Sequence, residues 1–225
     1  MEKINCPYCR QVNFAESEIC WACYKDLRAP KETISASEAT PVSAADPVDE
    51  STGSVYGALG RLALMLALAL LYAQWWRVEN YFSPLDHINL AFHEAGHVFL
   101  GFFGQLIMTA GGTFFQLLFP AVCGFHLWLR SNRLGWQLCL FWFGESLLNI
   151  SIYAGDAIRQ VLPLVGGGTH DWTYLLTETG LITHTRGTAR AIFAAGSAVI
   201  FCSLFSLGRD GLCPLLSGGR KKIMR

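Results

Sequence analysis

The chain has 225 residues, of which 52% are hydrophobic and only 15% charged, with a formal net charge of zero. Ordinary soluble domains carry roughly 25% charged residues, so this composition excludes a simple water-soluble globule. The balanced charge gives no basic surface for nucleic acid, which is not expected as a partner. The deficit is uneven: the first 50 or so residues are polar and most of the remaining chain is apolar. The pattern predicts a small head on a mainly α, polytopic helical membrane body.

The head, residues 1–29, contains "CPYC" and "CWAC", which place Cys6, Cys9, Cys20 and Cys23 in a C-x2-C-x10-C-x2-C array. Each pair presents two thiolates on a tight knuckle, and two knuckles close a tetrahedral zinc site. So short a segment cannot bury enough apolar surface to fold alone, so a structural zinc ion is expected to supply the folding energy. Two disulfides would need an oxidising compartment, and Met1–Tyr24 reads as no cleavable signal peptide. A single C-x-x-C could be a redox pair, but two in one short head favour zinc. The head resembles the zinc ribbons carried by many bacterial membrane proteins, over residues 4–26. The resemblance leaves open what the head binds, a substrate or a protein partner; the reduced cysteines place it on the cytoplasmic side. Residues 30–54, rich in Ser, Thr, Ala, Pro and acids without a periodic apolar face, are expected to form a flexible linker.

The membrane body is expected to occupy residues 55–210. Val55 to Trp76 is long enough to span a bilayer, with Arg61 near enough to its start to snorkel and Trp75 and Trp76 suited to the interface. Further apolar segments lie at about 87–103, 113–129, 135–153 and 191–207, giving about five crossings. The isolated Cys123, Cys139, Cys202 and Cys213 read as small core hydrophobes. Five crossings with a cytoplasmic head put the basic tail, residues 211–225 ending in "GRKKIMR", outside, against the positive-inside tendency. Either one segment is re-entrant or the tail is an exception. The tail itself reads as solvated or touching acidic lipid headgroups.

The second apolar segment contains "LAFHEAGHVFLG". On a helix, residues four apart share a face, so His93 and His97 can address one metal ion while Glu94 reaches a water beside it. This is the mechanical content of H-E-x-x-H: zinc lowers the pKa of the water, and the glutamate takes its proton and later delivers it. Gly96 leaves room for backbone or substrate to approach. A chance histidine pair is the bland alternative, but ionisable residues in an apolar segment are rare and usually functional.

HEAGH on a membrane helix resembles the site-2 protease group of intramembrane zinc metalloproteases, the M50-like peptidases. "GGTFFQLLFP" and "NISIYAGDA" extend the likeness, the second resembling the family segment that donates a third zinc ligand. Here the family's proline is missing, and Gly155-Asp156 stands where the family has Asp-Gly. The residues themselves leave Glu145, Asp156, His170 and Asp171 open as third ligand. A straight helix from 87 to 110 would put the zinc near mid-bilayer, at the depth of Glu145. A break near "GFFGQ" would put it near the exit side, at the depth of Asp156. The resemblance and such a break favour Asp156, with His170 and then Glu145 as alternates. His170 or Asp171 could instead orient a ligand or cap a helix. Gln116 and Asn149 could hydrogen-bond an unwound substrate strand or a developing oxyanion.

The expected function is therefore a multi-pass integral membrane zinc endopeptidase, in a bacterial-type inner membrane, cleaving a membrane-associated protein. Its rival is a non-catalytic membrane adaptor that binds a partner through the ribbon and keeps HEAGH as a structural or vestigial site. The intact Glu94 speaks against the rival, because a structural site needs no base.

Overall fold

The computed structural model describes residues 3–6, 12–20, 26–27, 50–165 and 169–223. It separates into two units, residues 1–48 and 49–225. In the first, β1 (Lys3–Asn5) pairs antiparallel with β2 (Val12–Phe14), Lys3 opposite Phe14 and Asn5 opposite Val12. Cys6 and Cys20 are buried, and the Asn13 side-chain amide donates to Cys20 Sγ at 3.5 Å. Cys9, Cys23 and the expected linker up to residue 49 lie outside the described residues.

The second unit is helical: α1 (Glu50–Arg77), α2 (Asp86–Leu100), α3 (Gln105–Leu129), α4 (Arg133–Gly155), α5 (Asp171–Glu178) and α6 (Thr185–Ile223). Helix α1 begins inside the expected linker, at Glu50. Helix α6 continues through Pro214 into the expected tail, so neither boundary, 54/55 or 210/211, is an end of secondary structure.

Among the described residues, four helical stretches are long and apolar enough to cross a membrane: 55–77, 105–129, 133–155 and 182–216. The expected crossing at 87–103 is not among them. At about 1.5 Å per residue the 15 residues of α2 reach only about 22 Å, short of the roughly 30 Å hydrocarbon core. Helix α2 also starts beside the middle of α4. The Asn89 amide donates to Glu145 at 2.9 Å and to Asp86 at 3.1 Å, while Trp142 Nε1 donates to the Asn89 carbonyl at 2.7 Å. Ser83 adds a short hydrogen bond to Glu145. These buried groups satisfy one another, as polar groups must where water cannot serve them.

Neighbouring helices run antiparallel in the order α1, α6, α4, α3, α2. Tyr72 of α1 donates to Ser197 of α6 at 2.9 Å, and Trp76 meets Phe193 edge to face. Helices α4 and α6 approach through glycine: a Cβ on Gly196 would lie 2.7 Å from the Gly144 carbonyl oxygen. Close contact through small residues is how helices gain packing where lipid supplies no hydrophobic drive. Gln116 of α3 reaches Asn149 of α4, and Phe92 of α2 stacks on Phe119 of α3 at 3.7 Å. The pairings bring the start of α1, the end of α6 and the α3–α4 turn to one end of the bundle. The α2–α3 and α4–α5 connections lie at the other, from which the α1–α2 connection runs back to the middle of α4.

Arg61 reaches Gln137 of α4 at 3.4 Å, a partner within the bundle in place of simple snorkelling. Of the four isolated cysteines, Cys123, Cys202 and Cys213 are exposed on the bundle surface and Cys139 is partly buried. The expectation that they fill a core is corrected: an outward-facing cysteine suits a lipid-facing surface as a small apolar residue.

Candidate metal centre

Helix α2 ends where the sequence breaks it. Gly101–Phe103 tightens into a single 3₁₀ turn and Gly104 adopts φ +90°, a backbone state that disfavours any side chain. Helix α3 then returns along α2. The Gly111-Gly112 pair does not break the chain. It lies inside α3, where Gly111 lets α3 approach Gly96 backbone to backbone. Gly96 thus makes room for α3 beside the histidines.

His93 and His97 stand one turn apart with ring centroids 4.8 Å from each other. His97 Nδ1 lies 2.9 Å from the Met108 carbonyl oxygen, which can only accept. That nitrogen therefore carries a proton; Nε2 faces Asp171, donating to it when protonated and offering a lone pair to a metal once that proton is lost. The carboxylate that joins the pair is Asp171, the first residue of α5, with Oδ2 2.9 Å from His93 Nε2 and 3.2 Å from His97 Nε2. One ligand atom from each of the three lies within 4.8 Å of the others. Burial pushes the Asp171 carboxyl up, but hydrogen bonds and charge from His93 and His97 outweigh it and hold the pKa at about 2. An ionised carboxylate and two imidazoles are a fitting donor set for zinc with one position left open.

The expected third ligand, Asp156, is elsewhere. Its two carboxylate oxygens accept from the backbone N–H groups of Val161 (3.0 Å) and Leu162 (2.9 Å), folding back the chain that leaves α4. A residue that ends one helix and ties down the next loop faces the loop; the metal position lies over the last turn of α4. The alternates are accounted for as well. His170 caps α5, its Nδ1 accepting from Thr173 N–H at 3.3 Å, and its ring packs on Tyr153 at 4.3 Å. His170 Nε2 is buried 3.7 Å from Asp156 without a hydrogen bond, and burial lowers the ring's pKa. Glu145 belongs to the Ser83–Asn89 cluster halfway along α4. The break expected near "GFFGQ" is present, and it sets the site at the end of α4. The carboxylate that meets the histidines there is Asp171 in place of Asp156.

Three further residues build the site without a motif to announce them. Tyr153 hydroxyl lies 3.5 Å from Asp171 Oδ2 and 3.3 Å from the Asp171 N–H, bridging that residue's side chain and backbone. Met108 orients His97. Gly112 leaves the space into which both imidazoles point: a Cβ there would stand 2.6 Å from His93 Nε2 and 2.7 Å from His97 Nε2. The helical spacing of Tyr153 from Asn149 is a readable signal; the other two depend on how α3 folds back.

A cavity of about 430 Å³ opens over His93, His97 and Asp171. Glu94 lines it beside His93 and His97, and Gln116 and Asn149 line its wall, joined by a 3.0 Å hydrogen bond. Leu90, Ile152 and the Leu162–Val165 stretch supply apolar wall. The volume falls in the range of small-molecule and peptide-sized pockets. No protein-family model, characterised protein or solved structure matches the chain.

Proposed function

We propose that the chain is a membrane-embedded zinc endopeptidase, with His93, His97 and Asp171 as ligands and Glu94 as general base and then acid. The observation that carries this reading is the convergence of that donor set with Glu94 in one cavity that also holds free wall for a substrate. A zinc ion held there supplies Lewis acidity, lowering the pKa of water toward neutrality and polarising a carbonyl.

The remaining work falls to the chain. Glu94 accepts a proton from the attacking water and passes it to the leaving amine. The Gln116–Asn149 pair offers amide groups to an extended substrate strand, whose own helical hydrogen bonds have to open before its peptide bond is reachable. The Leu162–Val165 stretch and Leu90 cover the apolar flank and limit water. The substrate class is a segment of a membrane-associated protein. In the head, Cys6, Cys9, Cys20 and Cys23 hold a second, structural zinc ion, and the head recruits a protein partner.

Glu94→Gln tests this directly. The variant keeps its zinc and loses roughly 10²–10⁴-fold in cleavage rate of a membrane-protein substrate. Unchanged cleavage in that variant would remove Glu94 as the base, and absence of cleavage by both proteins would return the chain to the adaptor class.

A further inference from the structure

We infer that the metal centre opens on the extracytoplasmic face of the membrane, so that its substrates are extracytoplasmic juxtamembrane segments. This rests on the endopeptidase reading for the word substrate, but the orientation stands on separate observations.

The first is where the cavity sits. Its walls come from the connections at one end of the bundle: Asn80 and Tyr81 after α1, Gln105 at the start of α3, and Leu162 and Thr169 between α4 and α5. The α3–α4 turn, the start of α1 and the end of α6 contribute nothing to it. The ligands lie over Tyr153, in the last turn of α4. The cavity therefore opens at the end away from the α3–α4 turn.

The second is parity. With α2 starting beside the middle of α4 and four helices fit to cross, the start of α1 and the end of α6 share an end. The basic tail consequently lies at the α1-start end, and its conflict with the positive-inside tendency disappears.

The third is charge. Arg130 and Arg133 flank the short α3–α4 turn, and Arg209, Arg220, Lys221 and Lys222 belong to the last part of α6. At the cavity end the basic residues are Arg77, Arg159, Arg186 and Arg190. Lys and Arg close to the ends of spans set orientation, and the larger set marks the cytoplasmic side. The same orientation keeps Cys6, Cys9, Cys20 and Cys23, which precede α1 in the chain, in a reducing compartment. Charge bias and thiol chemistry thus agree on one face for the start of α1, and the metal centre is at the other.

Two single cysteines test it in the full chain, each compared with the parent: Glu178→Cys at the last residue of α5, and Ser131→Cys in the α3–α4 turn, both at exposed positions. A membrane-impermeant maleimide should label Glu178→Cys in intact bacterial cells, and Ser131→Cys only after permeabilisation. Label on Ser131→Cys in intact cells, or on Glu178→Cys only after permeabilisation, overturns the orientation. Alkaline phosphatase fused after Arg225 gives a readout that does not depend on either cysteine. It should be inactive, and active enzyme overturns the proposal. Labelling does not depend on catalysis, so a reversed result would move the site to the cytoplasmic face and leave the endopeptidase reading to the Glu94→Gln experiment.

Discussion

Gly112 of α3 stands against the imidazole of His93 with no room for a side chain: an added Cβ would lie 2.6 Å from Nε2, on the atom that a metal requires. A hydrogen at this position is what allows α3 to pack onto α2 while both histidine rings face the cavity.

Gly112→Ala should therefore damage the metal centre before it damages the bundle. The methyl group forces both rings away from Asp171, and the overpacking costs about 1–3 kcal/mol. Zinc affinity at this site should fall markedly, with the helical circular dichroism retained. Zinc stoichiometry measured beside far-ultraviolet spectra checks it; full zinc occupancy in the variant would show that the rings do not need this space.

Asp156→Asn separates loop anchoring from ligation. The variant should keep its zinc, because the carboxylate of Asp156 faces Val161 and Leu162 N–H groups and not the histidines. Weakening two charge-assisted hydrogen bonds should lower stability by about 1–3 kcal/mol. The measurements are zinc content and a thermal melt in detergent. Loss of one zinc ion with an unchanged melt would restore Asp156 as a ligand.

Tyr153→Phe removes a hydroxyl that touches both the carboxylate and the N–H of Asp171. Its ring contacts with His93 and His170 persist, so packing is preserved. Zinc affinity should drop by roughly 10–100-fold, the usual scale for groups that orient a ligand, as read by competition with a chromophoric chelator. Wild-type affinity would mean that α5 alone fixes Asp171.

The sequence made some of this legible, and the reasons for the rest are physical. HEAGH announced itself because helical periodicity alone brings His93 and His97 to one face. The break after α2 could be read from Gly104, whose φ of +90° is backbone that residues with a side chain resist. The third carboxylate could not be read the same way. Asp156 and Asp171 are both polar residues at the mouth of an apolar segment, and only the placement of the start of α5 beside α2 decides which one meets the histidines. Segment length alone misled as well. Residues 87–103 are apolar enough to resemble a crossing, yet Asn89 ties the helix start to Glu145 in mid-bundle, so α2 begins partway through. With that anchoring contact, four helices in place of five segments are long and apolar enough to cross a membrane among the described residues.

The proposed function requires that His93, His97 and Asp171 hold a metal ion distinct from that of the cysteine head. Zinc content of the detergent-purified protein, beside His93→Ala and Asp171→Ala, tests it most directly. About two zinc ions per chain are expected, falling to about one in each variant, if the head and the membrane site each bind one. One zinc ion in all three proteins, unchanged when zinc is added back, would contradict it.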